Sequence, residues 1–257
     1  MGKSVIIVGG GAFGVSTAWH PSRELGPGST YATIHVLDRF PPPSQLAAAT
    51  DMNKIIRSEY TDALYTELAV EAMQSWTSPS GIFSKHFHQT GWLLCASRDD
   101  VPFIIQSARN ALSNGRGLKM KTPAEVRSTY HAFNGPMEDW KILDSKDAGW
   151  VASGKVLLEL AQESADRGVS FISGSPGDVH ELLYDNESCV GARTIDGMAH
   201  LADHLILAAG ANVASLIDME GQQHAFGHTV CFIQLLPEEA YKYNDMALIA
   251  NIEEGRE

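Results

Sequence analysis

Near its amino end the chain reads Val5-Ile6-Ile7-Val8-Gly9-Gly10-Gly11-Ala12-Phe13-Gly14. The four apolar residues predict a buried parallel strand, and a helical pattern follows from Val15. The glycines are spaced as G-x-G-x-x-G. In this pattern Gly9 permits a tight turn, Gly11 lets a pyrophosphate approach the backbone, and Gly14 lets helix and strand pack closely. Because the N–H groups of the helix would face that pyrophosphate, the stretch predicts a dinucleotide-binding βα unit.

A second strand is predicted over residues 33–38, and the connection before it contains a helix breaker. Pro21 lies inside the helical pattern and lacks a backbone donor, so we expect the helix to kink or stop near His20. Asp38 ends the second strand, roughly 20 residues after the glycines, where an acid accepts hydrogen bonds from ribose hydroxyls and disfavours a 2′-phosphate. This position favours an adenosine without a 2′-phosphate.

Composition excludes several classes of partner. The chain has 257 residues, 44% hydrophobic and 19% charged, and a net charge of −12, which argues against nucleic acid because no basic stripe could neutralise phosphates. No window has the roughly 20 apolar residues of a membrane span. We therefore expect a soluble protein.

The cysteines and histidines predict neither a disulfide framework nor a metal site. The three cysteines form no C-x-x-C pattern, which indicates a reducing compartment. The pairs His86-x-His88 and His224-x₃-His228 lack a third ligand, so no metal is predicted. The three cysteines are Cys95, Cys189 and Cys231.

Further elements are predicted from periodicity. A helix over residues 62–76 carries an apolar stripe that we expect to lie in the core; it consists of Leu64, Leu68, Ala72 and Trp76. A strand at 91–95 and a helix at 101–112 follow. Three short strands, at 178–184, 189–194 and 201–208, predict a meander, because Asp196-Gly197 is a hairpin signal. The last of these strands leads into Ala209 and Gly210, small residues that suit close approach of a ligand.

This order of elements resembles the flavin-dependent amine oxidases of the D-amino-acid oxidase and monomeric sarcosine oxidase superfamily. It is most similar to their fungal fructosyl amino acid oxidase and saccharopine oxidase branch. The residues that carry the resemblance are Ile7-Val8-Gly9-Gly10-Gly11-Ala12-Phe13-Gly14, Val36-Leu37-Asp38-Arg39, Asp51-Met52-Asn53-Lys54-Ile55-Ile56-Arg57-Ser58-Glu59-Tyr60, Gly149-Trp150 and Ala202-Asp203-His204-Leu205-Ile206-Leu207-Ala208-Ala209-Gly210. The run from Asn53 to Tyr60 is the most specific of them.

The resemblance implies an α/β protein, α+β overall, with two domains. A Rossmann-like FAD-binding domain with a parallel sheet and a β-meander would comprise residues 1–82 and 147–222. A substrate domain with a mixed sheet would comprise residues 83–146 and 223–257. Members of the family are longer, so we expect a truncated chain, as a gene product, a gene-model artefact or a fragment. The substrate domain and the flavin-ring site would then be incomplete.

The implied activity is oxidation of the C–N bond of a secondary amine amino acid, of the fructosyl amino acid, saccharopine, sarcosine or pipecolate type. FAD would be the cofactor and O₂ the oxidant, and the products would be an imine and hydrogen peroxide. Covalent attachment of FAD is not predicted, because no cysteine matches the family's attachment position. With part of the family's length missing, turnover by the chain itself stays open.

The resemblance also implies which residues form the site. Lys54 would be catalytic beside the flavin, where a cation stabilises developing negative charge. Arg57 and Tyr60 would bind substrate, Arg57 through a carboxylate. The cofactor-binding residues would be Gly9, Gly10, Gly11, Ala12, Phe13, Gly14, Asp38, Arg39, Asn53, Lys54, Val179, Ala209 and Gly210.

Two alternatives stand beside this interpretation. The chain could be a non-catalytic remnant that binds FAD weakly or not at all. It could also be an NAD-dependent dehydrogenase, although the meander suits an FAD domain better. The partners expected are a small amine substrate and O₂, with no membrane, and the chain as a monomer or an oligomer of unknown size. The expected location is cytoplasmic; the family also allows a peroxisomal one, but the chain ends Gly255-Arg256-Glu257 rather than Ser-Lys-Leu.

Overall fold

The structure is a computed structural model that describes residues 2–25, 28–97 and 101–252. In chain order the strands are β1 (Lys3–Val8), β2 (Tyr31–Leu37), β3 (Lys54–Ile56), β4 (Phe87–His88), β5 (Trp92–Ala96), β6 (Leu118–Lys121), β7 (Lys141–Ser145), β8 (Gly149–Val151), β9 (Ser170–Ile172), β10 (Val179–Asp185), β11 (Ser188–Thr194), β12 (Ala199–Leu201), β13 (His204–Leu207) and β14 (Leu248–Ile252). The α-helices are α1 (Ala12–Ser22), α2 (Ala63–Thr77), α3 (Val101–Ser113), α4 (Pro123–Thr129), α5 (Ser153–Asp166) and α6 (Pro237–Ala240). The predicted α/β architecture is confirmed.

The chain divides into two compact units, and each is built from two separate stretches. The first unit comprises Met1–Met52 and Ser153–Thr229, and the second comprises Asn53–Ala152 and Val230–Glu257. These limits differ from the predicted domain boundaries, because residues 53–82 and 147–152 belong to the second unit and residues 223–229 to the first. Pairing explains the difference: β3 and β4 both pair with β8, and this holds the residues after Met52 together with those before Ser153.

A parallel sheet forms the centre of the first unit, in the strand order β13-β1-β2-β9. Alternate residues of β1 enter different apolar clusters. Val5 and Ile7 pack with Ala18 of α1, whereas Ile6 and Val8 pack with residues at the start and end of the meander formed by β10, β11 and β12. The apolar run at the start of the chain is therefore buried on both faces, as predicted.

Helix α1 includes the proline that was expected to stop it. The helix begins at Ala12, ends at Ser22 and contains Pro21 in its last turn. The N–H groups of Arg23 and Glu24 donate to the carbonyls of His20 and Pro21 at 3.3 and 3.0 Å. The helix thus ends just after Pro21, slightly later than expected.

A mixed sheet forms the centre of the second unit, in the order β14-β5-β7-β6. Strand β14 is parallel to β5, and the other neighbours are antiparallel. Residues of α3 pack on one face of the sheet, and residues of α4 and the chain after it pack on the other. The mixed character predicted for the second domain is confirmed.

The apolar stripe predicted on α2 does not lie in the core. Leu64 and Leu68 are 59% and 52% exposed, Ala72 is exposed and Trp76 is half-buried. The side chains that α2 buries are Thr66 and Met73. Thr66 decides the orientation, because its hydroxyl donates to the carbonyls of Tyr60 and Asp62, both at 3.1 Å. The prediction that this stripe is core was therefore wrong for the described residues.

Candidate functional site

Two glycines of the turn after β1, Gly9 and Gly14, have no room for a side chain. Gly9 has a φ of +115°, and a Cβ there would lie 2.3 Å from the carbonyl oxygen of Ala208. A Cβ on Gly14 would lie 1.7 Å from the carbonyl oxygen of Gly9. At Gly11 the nearest neighbour of an added Cβ would be the Ala47 methyl, at 3.1 Å. The tight turn and the close helix–strand packing are thus present, while space beside Gly11 is more open.

The amino end of α1 presents unpaired backbone donors. Gly11 precedes the helix and supplies no side-chain cap, and the first turn carries no acidic residue. Ala12 and Phe13 are exposed, Phe13 to 81%. A helix end with uncapped N–H groups and no acidic residue in its first turn attracts anions such as phosphate. This end of α1 therefore has the chemistry of a phosphate cradle.

Asp38 directly follows β2 and fastens the glycine turn to the next loop. Its Oδ2 accepts the N–H of Gly10 at 2.7 Å, and its Oδ1 accepts the N–H of Phe40 and the hydroxyl of Ser44, both at 2.8 Å. An ionised carboxylate has about four acceptor positions, so capacity remains for a ribose hydroxyl. Ser44 also donates its N–H to the carbonyl of Gly10 at 3.1 Å. Asp38 thus shapes the site whether or not a ligand is bound.

Ser44 was missed from the sequence. It is 5% exposed and follows Pro41-Pro42-Pro43, which gives no local sign of a contact with Asp38. The loop must fold back before its hydroxyl reaches the carboxylate. The one sequence signal for Ser44 is that it is a short polar residue in a connection rich in proline and apolar residues.

The remaining first-unit candidates lie at the same end of the sheet. Arg39 forms an ion pair with Asp178 at 3.5 Å, and the neighbouring Val179 packs near Ile6, Val8 and Leu37. The carboxyl ends of parallel strands meet at one edge of a sheet, where ligands bind in such folds. Arg39 and Val179 are accordingly brought to the edge that carries Asp38.

Ala209 and Gly210 follow the end of β13, beside the glycine turn. The N–H of Ala208 donates to the carbonyl of Val8 at 2.8 Å. Gly210 has a φ of +53° with no atom near an added Cβ, and it opens a 3₁₀ helix over Gly210–Ser215. The structure therefore brings the first-unit candidates together around the ends of β1, β2 and β13.

The other candidates belong to the second unit. Asn53 is exposed, and Lys54 is a partly buried residue that begins β3 opposite Val151. Arg57 and Tyr60 contact one another: the guanidinium carbon lies 4.1 Å from the centre of the tyrosine ring. That carbon also lies 6.0 Å from the centre of the Trp92 ring. Arg57 and Tyr60 thus form one cationic and aromatic group.

A buried carboxylate supports this group, and sequence analysis missed it. Glu59 is fully buried; its Oε1 accepts the hydroxyl of Ser145 at 2.6 Å, and its backbone carbonyl accepts an N–H from Arg57. Burial of a carboxylate is costly unless it is hydrogen-bonded, so the contact with Ser145 holds the loop after β3 against β7. The partners are far apart in the chain, and no local pattern links them.

Other kinds of site find no support among residues 2–25, 28–97 and 101–252. No group of three His, Cys, Asp or Glu side chains there could hold a metal ion. In the same residues, no helix is both long and apolar enough to cross a membrane.

Comparison with known proteins finds similar sequences and structures over nearly the whole chain. Residues 4–246 match a family described as FAD dependent oxidoreductase. L-saccharopine oxidase of Schizosaccharomyces pombe is 30% identical, over 97% of this chain and 60% of that protein. Fructosyl amine: oxygen oxidoreductase (Amadoriase I) of Aspergillus fumigatus superposes with a TM-score of 0.81 and 30% identity, over 98% of this chain and 58% of that one. For fructosamine oxidase (Amadoriase II) of the same fungus the TM-score is 0.83, the identity 28%, and the shares 98% and 59%. The chain thus spans about three fifths of the length of these relatives.

Proposed function

Because this chain belongs to the family of FAD dependent oxidoreductases, we propose that its first unit binds FAD at the glycine turn. The pyrophosphate would lie against Gly9–Gly14 and the amino end of α1, and the ribose would donate to Asp38. Arg39 and Val179 would lie on the adenine side, with Ala209 and Gly210 alongside. The observation that carries the proposal is the turn itself, where Gly9 and Gly14 exclude any side chain and α1 is left without a cap. The family match also favours FAD over the NAD alternative.

The proposed linkage to FAD is non-covalent. Cys95 is buried, and burial raises the pKa of its thiol to about 12. A thiol with such a pKa is almost entirely protonated near neutral pH and is a poor nucleophile. Cys189 is half-buried and Cys231 is exposed, and neither stands at a position that the resemblance associates with attachment. Bound FAD is therefore expected to dissociate on denaturation.

The proposed reaction is oxidation of a secondary amine amino acid by O₂. The carbon beside the nitrogen loses a hydride and the nitrogen a proton, and O₂ takes up both electrons and two protons to give hydrogen peroxide. FAD supplies the two-electron acceptor between them. The imine that forms is then hydrolysed by water. The fructosyl amino acid, saccharopine, sarcosine and pipecolate types are the substrate classes considered.

The chain's own residues would contribute charge and orientation to this reaction. Lys54, with Asn53 beside it, would supply a fixed positive charge where negative charge develops as O₂ is reduced. Arg57 has five N–H donors, of which one is used by the carbonyl of Glu59. The others can bind a substrate carboxylate, and Tyr60 would hold the guanidinium plane in place. Glu59 and Ser145 would keep this loop in position.

FAD binding is tested on the purified chain by its visible spectrum, before and after release with acid or heat. We expect dissociable FAD at less than one equivalent. In Gly11→Ala the added methyl meets only the Ala47 methyl, so the fold should persist while the phosphate is excluded. The Kd for FAD should rise at least about tenfold, since about 1.4 kcal/mol of lost contact suffices.

Gly135→Ala is the matched control, because an added Cβ there meets nothing within 4 Å, and it should keep its FAD. Absence of flavin from the unmodified chain, even after reconstitution, would favour the non-catalytic alternative.

Turnover is tested separately, by peroxide release with fructosyl amino acids, saccharopine, sarcosine and pipecolate. Lys54→Met should lower the rate at least about a hundredfold, on the scale of other lost electrostatic contacts in active sites. Lys119→Met changes an exposed lysine of the second unit and should not affect it. If the chain binds FAD but releases no hydrogen peroxide with any of these amines, its function is limited to cofactor binding.

A reducing compartment, the cytoplasm or the peroxisome, is the proposed location. The support is that all three cysteines are free. Thiol titration of the protein isolated under non-reducing conditions would test it, with three free thiols as the expected result.

A further inference from the structure

Asn110 of α3 is a polar side chain that the proposed function does not use. Its amide nitrogen donates to the carbonyl of Tyr60 at 3.0 Å and to the carbonyl of Thr61 at 2.7 Å. An asparagine amide has two N–H donors, and the two carbonyls take one each. Residues 57–61, called here the arginine loop, are therefore joined to a helix that comes much later in the chain.

The orientation of the Asn110 amide is fixed from its other end. Its Oδ1 accepts an N–H of the Gln106 side chain at 2.8 Å, and the two residues are neighbours on one face of α3 because they are four positions apart. A backbone carbonyl can only accept, so the amide nitrogen has to face the arginine loop. Asn110 is half-buried, and both polar groups of its side chain are engaged.

The bonds of Asn110 are not what holds α3 to its sheet. The helix buries Ile104, Ser107 and Ala111, and Ile104 lies in one apolar cluster with Trp92 of β5. Loss of two hydrogen bonds from the half-buried Asn110 should therefore loosen the arginine loop more than the helix.

Tyr60 links these bonds to Arg57. The carbonyl of Tyr60 also accepts the hydroxyl of Thr66 at 3.1 Å, so donors from two helices determine where its backbone lies. The guanidinium carbon of Arg57 lies 4.1 Å from the centre of the Tyr60 ring. A carboxylate accepts two parallel N–H bonds only from a correctly oriented guanidinium plane, and binding groups must be held within about 0.5 Å of their working position. A displaced Tyr60 would thus misalign Arg57.

From these contacts we infer that Asn110 is a positioning residue for substrate binding. Through Tyr60 it orients Arg57 for a carboxylate, and it thereby favours substrates that carry a carboxylate over neutral ones. The inference rests on the proposed role of Arg57 in binding the substrate. It does not depend on FAD binding or on turnover.

Calorimetric titration of the purified chain with two inert probes tests this inference. Cyclohexanecarboxylate has the ring size and the carboxylate of pipecolate without an amine to oxidise, and cyclohexanecarboxamide is its neutral counterpart. The Kd of the carboxamide divided by that of the carboxylate measures the preference for a carboxylate.

Two substitutions of Asn110 should lower this preference. In Asn110→Asp an acceptor replaces the donating group and faces two carbonyls, and in Asn110→Ala the group is absent without a change of charge. In both variants we expect the preference to fall about tenfold, as for one lost hydrogen bond to a charged group. The Kd of the carboxamide should stay nearly the same.

Asn114→Asp is the matched control, because it makes the same change of shape and charge one turn further along. Asn114 is exposed, and its amide donates to the carbonyl of Asn110 rather than to the arginine loop. This variant should keep the preference of the unmodified chain, whereas Arg57→Met should abolish it.

A preference that both Asn110 variants retain would overturn the inference. Equal weakening of both probes would also overturn it, since it would indicate a merely structural role, and so would a preference that survives Arg57→Met. If the unmodified chain shows no preference, the inference fails together with the proposed role of Arg57. The visible spectrum of the same protein decides the FAD proposal separately, so the two failures are distinguishable.

Discussion

At the scale of single residues, the Asp38 carboxylate holds the glycine turn through hydrogen bonds and is also proposed to bind the ribose of FAD. Three donors from the glycine turn and the following loop already converge on it. A ribose hydroxyl would use acceptor capacity that is left over. The consequence is that substitutions of Asp38 should change stability as well as affinity for FAD.

Asp38→Asn tests this double role. The amide keeps the shape of the carboxylate but turns one acceptor into a donor, which would then face the N–H of Gly10 or the donors at Phe40 and Ser44. We expect the free energy of unfolding to fall by about 1 kcal/mol, the lower end of the cost of an unsatisfied polar group, because Asp38 is half-buried. FAD should also bind more weakly. Urea unfolding and FAD titration measure the two effects.

Asp245→Asn serves as the control for Asp38→Asn, because Asp245 is exposed in the second unit. Full stability of Asp38→Asn together with weaker FAD binding would mean that the carboxylate serves the ligand alone.

At the scale of elements, α2 shows that a regular apolar spacing does not decide which face of a helix is buried. Asp62 caps the helix by accepting the N–H groups of Leu64 and Tyr65. Together with the hydrogen bonds of the Thr66 hydroxyl, this cap fixes which face of the helix is buried. The buried residues of α2, Thr66 and Met73, therefore do not belong to the apolar stripe that begins at Leu64. Packing of Met73 rather than Leu68 should therefore govern its stability.

A pair of alanine substitutions on α2 tests that conclusion. Met73 is 2% exposed and Leu68 52%. Met73→Ala should lower the free energy of unfolding by about 2–5 kcal/mol, as expected for a truncated core residue. Leu68→Ala should change it by no more than about 0.5 kcal/mol. Thermal or urea unfolding of both variants measures these changes. Equal losses of unfolding free energy would show that Leu68 is packed as tightly as Met73 and would contradict this conclusion.

At the scale of the whole molecule, folding of the first unit brings two histidines that are distant in sequence close enough for the charge of one to affect the pKa of the other. His35 lies on β2 and His200 on β12. Burial, and secondarily the charge of His200, lowers the pKa of His35 below its ordinary value of 6.5. In the unfolded chain His35 therefore binds a proton at a higher pH than in the folded one. Its contribution is favourable to folding above about pH 6.5 and is lost as the pH falls below that value.

His35→Gln tests this pH dependence. Between about pH 7.5 and pH 5.5 the unmodified protein should lose stability, and the variant should lose less, because one group that charges on unfolding is absent. Chemical unfolding at both pH values is the measurement. His131→Gln, at an exposed position, should leave the original dependence intact; an unchanged slope in His35→Gln would contradict the assignment to His35.

Local features of the chain were predictable because short-range physics determines them. The turn at Gly9 and Gly14, the burial of Val5 to Val8 and the end of α1 near Pro21 follow from steric clash, alternation and a missing donor within a few residues. The mixed sheet agrees with its predicted pattern. The meander is present, but its third strand is β12 at Ala199–Leu201, whereas most of the strand predicted over residues 201–208 forms β13 of the parallel sheet. The roles of Lys54, Arg57 and Tyr60 in binding and catalysis stay predictions, since they depend on ligands.

By itself, then, the sequence determined the βα glycine turn, the order of the elements and the family to which the chain belongs. The tertiary structure alone decided that β3 pairs with β8 and so joins Lys54 to the second unit, that Ser44 reaches Asp38, and that Glu59 meets Ser145. It also decided which face of α2 is buried. The reason is that these contacts join residues brought together by folding, and their energies depend on burial and hydrogen-bond partners that no window of sequence contains.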